Sequence, residues 1–266
     1  MKIVVCVKHV PDVESDRRLE DGVLVRGEDD VLNELDENAV EAAVSTVEEF
    51  GGEVVALTMG PEDAEDAISR ALQLGADSGV RITDDELAGS DALATAEVLA
   101  KAIQKIGQDG KVDLIITGMA SLDGMTSMLP GSLATQLGLP SLTLAQELQV
   151  TEKTVRIRKV ADGFVDELEA DLPAVVSVTD QVNEPRFPNF ADMAAARKKP
   201  VTVWQVSDLG LQGDDRTGIE GAGTNVLRAR QAPAKTAGKV VADAGEGGHQ
   251  LAQFLINAGF SGEEKK

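Results

Sequence analysis

The residues best suited to chemistry are the small and oxygen-bearing side chains of a loop at 117–127. The loop follows an apolar segment typical of a buried strand and leads into a helix. Gly118 and Gly124 would allow a ligand to approach the backbone, and Ser121 and Asp123 offer oxygens for a ribose or a phosphate. The loop has neither the lysine of a P-loop nor the glycine spacing of a dinucleotide fingerprint. It is therefore a candidate nucleotide site, and a plain strand-to-helix connection is the alternative.

Two further segments stand where a helix is expected to begin, at 33–36 and at 59–61. In a parallel sheet, the carboxyl ends of the strands meet at one edge, where ligands usually bind. We therefore expect both segments to lie near the 117–127 loop. Each also has an ordinary interpretation, with Asp36 as a helix N-cap and Asn33 as a turn residue.

Catalytic side chains are harder to find. His9 has no neighbouring serine or carboxylate of the kind found in a nucleophilic triad, so a polar loop contact is favoured for it. Cys6, in the middle of a strand, is expected to be a small buried hydrophobe. With two histidines and one cysteine in the chain, we predict no metal centre and no catalytic residue.

The elements that position these residues alternate between strands and helices. Apolar strands are predicted at 2–7, 53–58, 79–83 and 112–117, separated by helices at 37–50, from Pro61 to Gly75, from Ser90 or Asp91 to Ile106, and ending near Gly138. This alternation predicts an α/β fold: a doubly wound, mainly parallel sheet with helices on both faces.

The second half departs from this pattern. Asp162-Gly163 predicts an added antiparallel hairpin, with strands at 154–160 and 165–171, and strands at 173–178 and 201–206 return to the core. From 207 onward the chain loses its periodicity, except for a helix at 248–258. We therefore expect a core at 1–206 and a long C-terminal arm at 207–266 that lies on another surface.

A recognition loop is expected at 183–199. Pro185 and Pro188 stiffen the backbone, so that Phe187 and Phe190 are presented to solvent rather than absorbed into a helix. Aromatic side chains beside a basic helix end would suit docking to another protein, although inward packing of the aromatics is the alternative. The cations of that helix end are Arg197, Lys198 and Lys199.

Composition excludes several classes of function. A net charge of −21 argues against nucleic-acid binding, and an aromatic content of 3% without tyrosine removes the surfaces on which bases stack. No apolar run approaches the ~20 residues of a membrane span, and the first residues enter a strand without a leader. Together with the single cysteine, this predicts a cytoplasmic protein that is not inserted into a membrane.

Several segments together resemble the β subunit of electron-transfer flavoprotein. They are 2–12, 32–43, Met59-Gly60-Pro61, 71–77, the 118–124 loop, 137–140, 172–178 and Asn183-Glu184-Pro185-Arg186-Phe187 with the helix that ends in Arg197-Lys198-Lys199. The resemblance continues in order through 235–238 and covers nearly the whole chain. It implies an electron-carrier subunit, not an enzyme, that pairs with an α subunit holding most of an FAD.

The resemblance also implies that the chain buries an AMP without a redox role, and that Val13 lies near the FAD. Carried over by position, the AMP contacts are Cys6, Asn33, Glu34, Leu35, Asp36, Met59, Gly118, Met119, Ala120, Ser121, Leu122, Asp123, Gly124, Met125, Thr126, Ser127, Met128 and Leu129.

The same resemblance assigns partners. Phe190 corresponds to the apolar anchor that docks on acyl-CoA dehydrogenases and related dehydrogenases, and Arg197, Lys198 and Lys199 would lie beside it. Electrons would then pass towards the respiratory chain through a membrane quinone oxidoreductase. The arm from 207 would wrap the α subunit.

Two alternatives remain. Electron-bifurcating relatives hold a second FAD in place of AMP and carry an arginine after the first glycine of the loop. Met119 stands there in this chain and favours AMP. A nucleotide-binding regulator of the universal-stress type would share the sheet, but it would lack the Asn-Glu-Pro-Arg loop and the long arm.

Overall fold

The computed structural model describes residues 1–15, 17–20, 23–213, 215–233, 238 and 240–260. Contacts divide the chain into two units, Met1–Ala229 and Arg230–Lys266. Among the described residues, no helix is both long enough and apolar enough to cross a bilayer.

Strands and helices alternate through most of the first unit. The strands are β1 (Lys2–Cys6), β2 (His9–Pro11), β3 (Leu19–Glu20), β4 (Val23–Leu24), β5 (Asp30–Leu32), β6 (Glu53–Met59), β7 (Ser78–Ile82), β8 (Leu114–Gly118), β9 (Ser141–Ala145), β10 (Glu147–Val150), β11 (Thr154–Ala161), β12 (Phe164–Asp171), β13 (Ala174–Val178) and β14 (Val201–Trp204). The helices are α1 (Glu34–Phe50), α2 (Glu65–Gln73), α3 (Ala92–Ile106), α4 (Leu129–Leu137), α5 (Phe190–Ala196), α6 (Gly218–Gly221) and, in the second unit, α7 (Gly247–Asn257).

The central sheet has seven parallel strands in the order β14-β7-β6-β1-β8-β13-β9. Alternate residues of β1 point to opposite faces, and both faces are buried. Ile3 and Val5 pack with α1 and α2, whereas Val4 and Cys6 pack with α3 and α4. The predicted α/β fold, with a parallel sheet covered by helices on both sides, is therefore confirmed.

The added hairpin also forms as predicted. Asp162 and Gly163 have positive φ angles of 52° and 81° between β11 and β12, as a two-residue hairpin turn requires. Two strands were not predicted from the sequence: β10, which adds a third strand to this sheet, and β9, which forms one edge of the central sheet.

Several boundaries differ from the sequence-based prediction. α1 begins at Glu34 rather than Glu37, so Asp36 lies inside the first turn and is not the N-cap. Pro61 precedes a short 3-10 turn, Glu62–Ala64, and α2 follows it. Of the two caps proposed for α3, the structure selects Asp91, whose carboxylate accepts from the backbone N–H groups of Leu93 and Ala94.

The chain after β14 continues to pack on the first unit as far as 229. Leu211 is fully buried, and both the backbone N–H and the hydroxyl of Thr224 donate to Asp91 Oδ2 at 2.9 Å. The predicted arm thus begins with residues that belong to the compact unit. The sequence resemblance ends at 235–238, and of these residues 235–237 lie outside the described part of the chain.

Candidate functional site

The carboxyl edge of the central sheet brings the candidate nucleotide residues together. β1 pairs with both β6 and β8, with Cys6 opposite Leu57 on one side and Thr117 on the other. Residues that follow these three strands therefore meet at one edge. We call this edge, with residues 33–36 and 118–129, the carboxyl edge.

Asn33 links residues 33–36 to the 118–129 loop through hydrogen bonds of its side chain. Its amide Nδ2 donates to the carbonyl of Ala120 at 3.0 Å, and its Oδ1 accepts from the backbone N–H of Leu122 at 3.0 Å. The side chain is fully buried, so these bonds form away from water. Asn33 is thus a loop-positioning residue and gives α1 no side-chain cap.

Asp36 occupies the space between the start of α1 and the end of β8. Its Oδ2 accepts from the backbone N–H of Lys8 at 2.9 Å, and the N–H of Gly118 also donates to the carboxylate. Burial raises the pKa of Asp36 to about 7, although the hydrogen bonds from Asn33 and Lys8 oppose the shift.

The close contact with Asp36 explains why position 118 is glycine. A Cβ atom at Gly118 would lie 2.3 Å from Asp36 Oδ1 and 2.8 Å from the carbonyl oxygen of Leu35. The Leu35 oxygen belongs to the backbone of the first turn of α1 and Asp36 is buried, so neither can move aside cheaply. The glycine therefore lets the loop approach the helix closely.

Asp123 is held by two cations that the sequence analysis did not connect with it. Lys8 Nζ lies 2.9 Å from Asp123 Oδ2, and Arg26 donates to the same oxygen. Burial alone would raise the pKa of Asp123, but Lys8 and Arg26 outweigh it and lower the pKa to about 2. The carboxylate, with a side chain only 1% exposed, is therefore charged and committed to this contact.

The far part of the loop projects into solvent. Residues 124–128 are exposed, and Met125 and Ser127 have left-handed φ angles of 48° and 51°. Such backbone geometry is strained for residues other than glycine and is concentrated at functional sites. The loop ends at Leu129, the first residue of α4, so the positive end of that helix faces the same region.

The remaining predicted nucleotide contacts are apolar or peripheral. Cys6 is buried, and the pKa of its thiol is raised to about 12, mainly by burial and further by the charge of Asp36. The thiol is therefore unreactive at neutral pH. Met59 is half-buried at the end of β6 and packs against the core. Val13 is exposed in a turn after β2, and its proposed proximity to FAD stays a prediction.

The recognition loop, residues 183–199, is tied to α1 by polar contacts. The side chain of Asn38 donates to the carbonyl of Asn183 at 3.0 Å, and the side chain of Asn183 donates back to the carbonyl of Asn38 at 3.1 Å. Arg186 then forms bidentate contacts with both Glu41 and Glu48, at 2.7–3.1 Å. Glu41 and Glu48 are seven residues apart and therefore share one face of α1.

This attachment leaves the aromatic side chains in solvent. Phe187 and Phe190 are each 91% exposed, so inward packing of these aromatics does not occur. Phe190 is the first residue of α5, and a capping box of Asn189 and Asp192 fixes that helix start.

The three cations near α5 differ in their surroundings. Arg197 and Lys198 are exposed. Lys199 is half-buried, and its Nζ donates to the carbonyls of Leu72 (2.9 Å) and Ala76 (2.6 Å) at the end of α2. Burial lowers the pKa of Lys199. Lys199 thus makes a structural contact, and its docking role stays a prediction.

Comparisons with known proteins agree on one family. A family profile described as the electron transfer flavoprotein domain matches residues 21–209. The chain is 42% identical to the electron transfer flavoprotein subunit beta of Mycobacterium tuberculosis, over 96% of this chain and 97% of that protein. It is 34% identical to protein FixA of Bradyrhizobium diazoefficiens, over 100% and 93% of the two chains. It is also 32% identical to the caffeyl-CoA reductase-Etf complex subunit CarD of Acetobacterium woodii, over 91% and 92%.

Proposed function

We propose that this chain, which belongs to the electron transfer flavoprotein family as a β subunit, binds AMP and provides the surface on which dehydrogenases dock. The docked dehydrogenase would pass its electrons to an FAD that this chain shares with its partner subunit. The partner is an α subunit, which holds most of the FAD. The FAD, when bound, supplies the electron-carrying chemistry, and this chain supplies binding surfaces. Family membership removes the alternative of a stress-type regulator.

The residues of the carboxyl edge fit a nucleotide monophosphate. Lys8 and Arg26 neutralise Asp123 and keep part of their own side chains exposed, so a phosphate would meet positive charge there. Ser121, Thr126 and Ser127 offer hydroxyls along the same loop, and α4 adds its positive end. Asn33, Asp36 and Gly118 hold the loop in place and leave these groups for the ligand.

AMP is favoured over a second FAD at this edge. The pyrophosphate of an FAD needs more positive charge than a monophosphate, and position 119, where bifurcating relatives carry arginine, is Met119. Met119 is half-buried beside Ala120. Within the described residues, the cations that contact the loop are already engaged, since Lys8 and Arg26 pair with Asp123 and Arg17 donates to the carbonyl of Leu122 at 3.1 Å.

The exposed aromatics of the recognition loop are the observation that carries the docking proposal. Exposing two phenylalanines costs free energy, and a rigid attachment to α1 through Asn183 and Arg186 keeps them exposed. A pre-organised aromatic anchor loses little conformational entropy when it enters a pocket of a partner. We propose acyl-CoA and related dehydrogenases as the electron donors, and a membrane quinone oxidoreductase as the acceptor. Arg197 and Lys198 would steer the association.

The docking proposal is tested by Phe190→Ala in the heterodimer with the α subunit. Truncation of a central aromatic anchor costs about 2 kcal/mol, or roughly thirtyfold in affinity. We expect the KM of an acyl-CoA dehydrogenase for this carrier to rise by about that factor, with flavin content unchanged. Phe164→Ala, at an exposed aromatic of the β11–β12 hairpin, is the matched control. Equal KM values for wild type and Phe190→Ala would refute the docking role.

A further inference from the structure

His9, Asp30 and Asp63 form a cluster that the sequence does not reveal. Pro11 pairs with Asp30 across β2 and β5, which makes His9 a diagonal neighbour of Asp30. Asp63 comes from the 3-10 turn after β6. One imidazole nitrogen and one oxygen of each carboxylate lie within 4.8 Å of one another.

Among the described residues, the imidazole of His9 finds no hydrogen-bond partner of the kind that a buried ring normally has. The side chain is 7% exposed, and its Nε2 is buried without a partner among the described residues. Its Nδ1 lies 4.0 Å from Asp30 Oδ2, which is beyond hydrogen-bond distance. A buried polar atom without a partner is costly unless something else satisfies it.

The two carboxylates have few partners in the part of the chain that the structure describes. There, neither Asp30 nor Asp63 forms an ion pair with a lysine or an arginine. Asp30 is itself buried, with a side chain 6% exposed, whereas Asp63 is open to solvent. Two carboxylates supply two negative charges, which match the charge of a divalent cation.

We propose that His9, Asp30 and Asp63 bind a divalent cation of the Zn²⁺ type. One nitrogen and two carboxylate oxygens suit Zn²⁺ better than the all-oxygen ligands that Ca²⁺ and Mg²⁺ prefer. Zinc bonds of about 2.0–2.2 Å would place neighbouring ligand atoms about 3.4 Å apart. The cluster therefore has to contract slightly, and the exposed Asp63 can turn inward to allow it.

The cation would act as a structural clamp at the carboxyl edge. It would join β2, β5 and the turn after β6, and these segments adjoin Lys8, Asn33 and Met59. A ligand that binds only the folded state stabilises that state in proportion to its occupancy. This proposal differs from the sequence-based expectation of no metal centre, and Zn²⁺ titration of the heterodimer decides between them.

The test is Zn²⁺ titration of the chelator-treated heterodimer, followed by calorimetry and by thermal unfolding. Asp63→Asn is the main variant because Asp63 is exposed and its replacement should leave the fold intact. The matched control is Asp66→Asn, which makes the same charge change at an exposed position nearby. His9→Gln removes the nitrogen ligand, and circular dichroism checks its fold.

We expect one Zn²⁺ per β chain, with a rise in the unfolding temperature. Asp63→Asn and His9→Gln should each weaken binding by at least about tenfold, the range found even for residues that only support metal ligands. Asp66→Asn should bind like the wild type. Equal affinity in wild type and Asp63→Asn would overturn the proposal by placing the cation elsewhere, and so would the absence of binding to the wild type.

Discussion

Replacing Arg186 by methionine should detach the recognition loop from α1 while keeping a side chain of similar length. Arg186 forms bidentate contacts with Glu41, whose side chain is 13% exposed, and with Glu48, which is 59% exposed. Hydrogen bonds to buried charges contribute about 1.5–3 kcal/mol, and exposed pairs about 0–1 kcal/mol. We therefore expect Arg186→Met to lower the free energy of unfolding by about 2–3 kcal/mol.

Two assays follow the effect of Arg186→Met. The unfolding temperature of the heterodimer, measured at fixed concentration, should fall by about 5–10 °C, since 1 kcal/mol corresponds to about 2–4 °C in a domain of this size. The KM of a dehydrogenase should also rise, because Phe190 would have to be ordered during docking. In a Phe190→Ala background, the same change should leave KM almost unaltered, because the anchor is already absent.

The control for this experiment is Arg156→Met. Arg156 pairs with Glu169 on the surface of the β11–β12 hairpin, and both side chains are about half exposed. Its removal should cost less than about 1 kcal/mol. If Arg186→Met and Arg156→Met changed the unfolding temperature and KM equally, the clamp on α1 would not position the recognition loop.

Two further predictions concern the carboxyl edge. Gly118→Ala would place a Cβ atom 2.3 Å from Asp36 Oδ1, so we expect the free energy of unfolding in urea to fall by about 2–3 kcal/mol and AMP to be lost on gel filtration. Gly131→Ala is the control, because nothing lies within 4 Å of the added atom, and equal stability of the two variants would contradict the close approach of Gly118 to Asp36. Because the pKa of Asp36 in the folded state is raised to about 7, the folded state keeps a proton that the unfolded state loses near pH 4. The free energy of unfolding should therefore fall by up to about 1.4 kcal/mol per pH unit between pH 4 and 7, and an equal slope in Asp36→Asn would show that Asp36 does not cause this fall.

Local signals in the sequence predicted much of the fold. Continuous apolar strands indicated a parallel sheet, Asp162-Gly163 indicated the hairpin, and Asp91 indicated a helix cap, because each depends on neighbours a few residues away. β9 was missed because Ser141–Ala145 is short and is paired with a strand 33 residues further along, at Ala174–Val178. Such pairing depends on tertiary packing, which periodicity does not report.

The site was predictable only in part, for the same reason. Strand ends located the carboxyl edge, but the contact of Arg26 with Asp123 spans 97 residues, and that of Arg186 with Glu41 spans 145. Charge type alone cannot select these partners among many acidic residues. Lys199 is a further example, because its contacts with the carbonyls of Leu72 and Ala76 span 127 and 123 residues, and its position at the end of a short helix does not report them.

We propose that the carboxyl edge of this β subunit holds AMP within a flavin-carrying heterodimer. The most direct measurement is to purify this chain with its α subunit, release the bound nucleotides by denaturation and quantify them by chromatography and absorbance. We expect one FAD and one AMP per heterodimer, with the AMP lost in Gly118→Ala. Two FAD molecules and no AMP, or an AMP content that Gly118→Ala leaves unchanged, would contradict the claim.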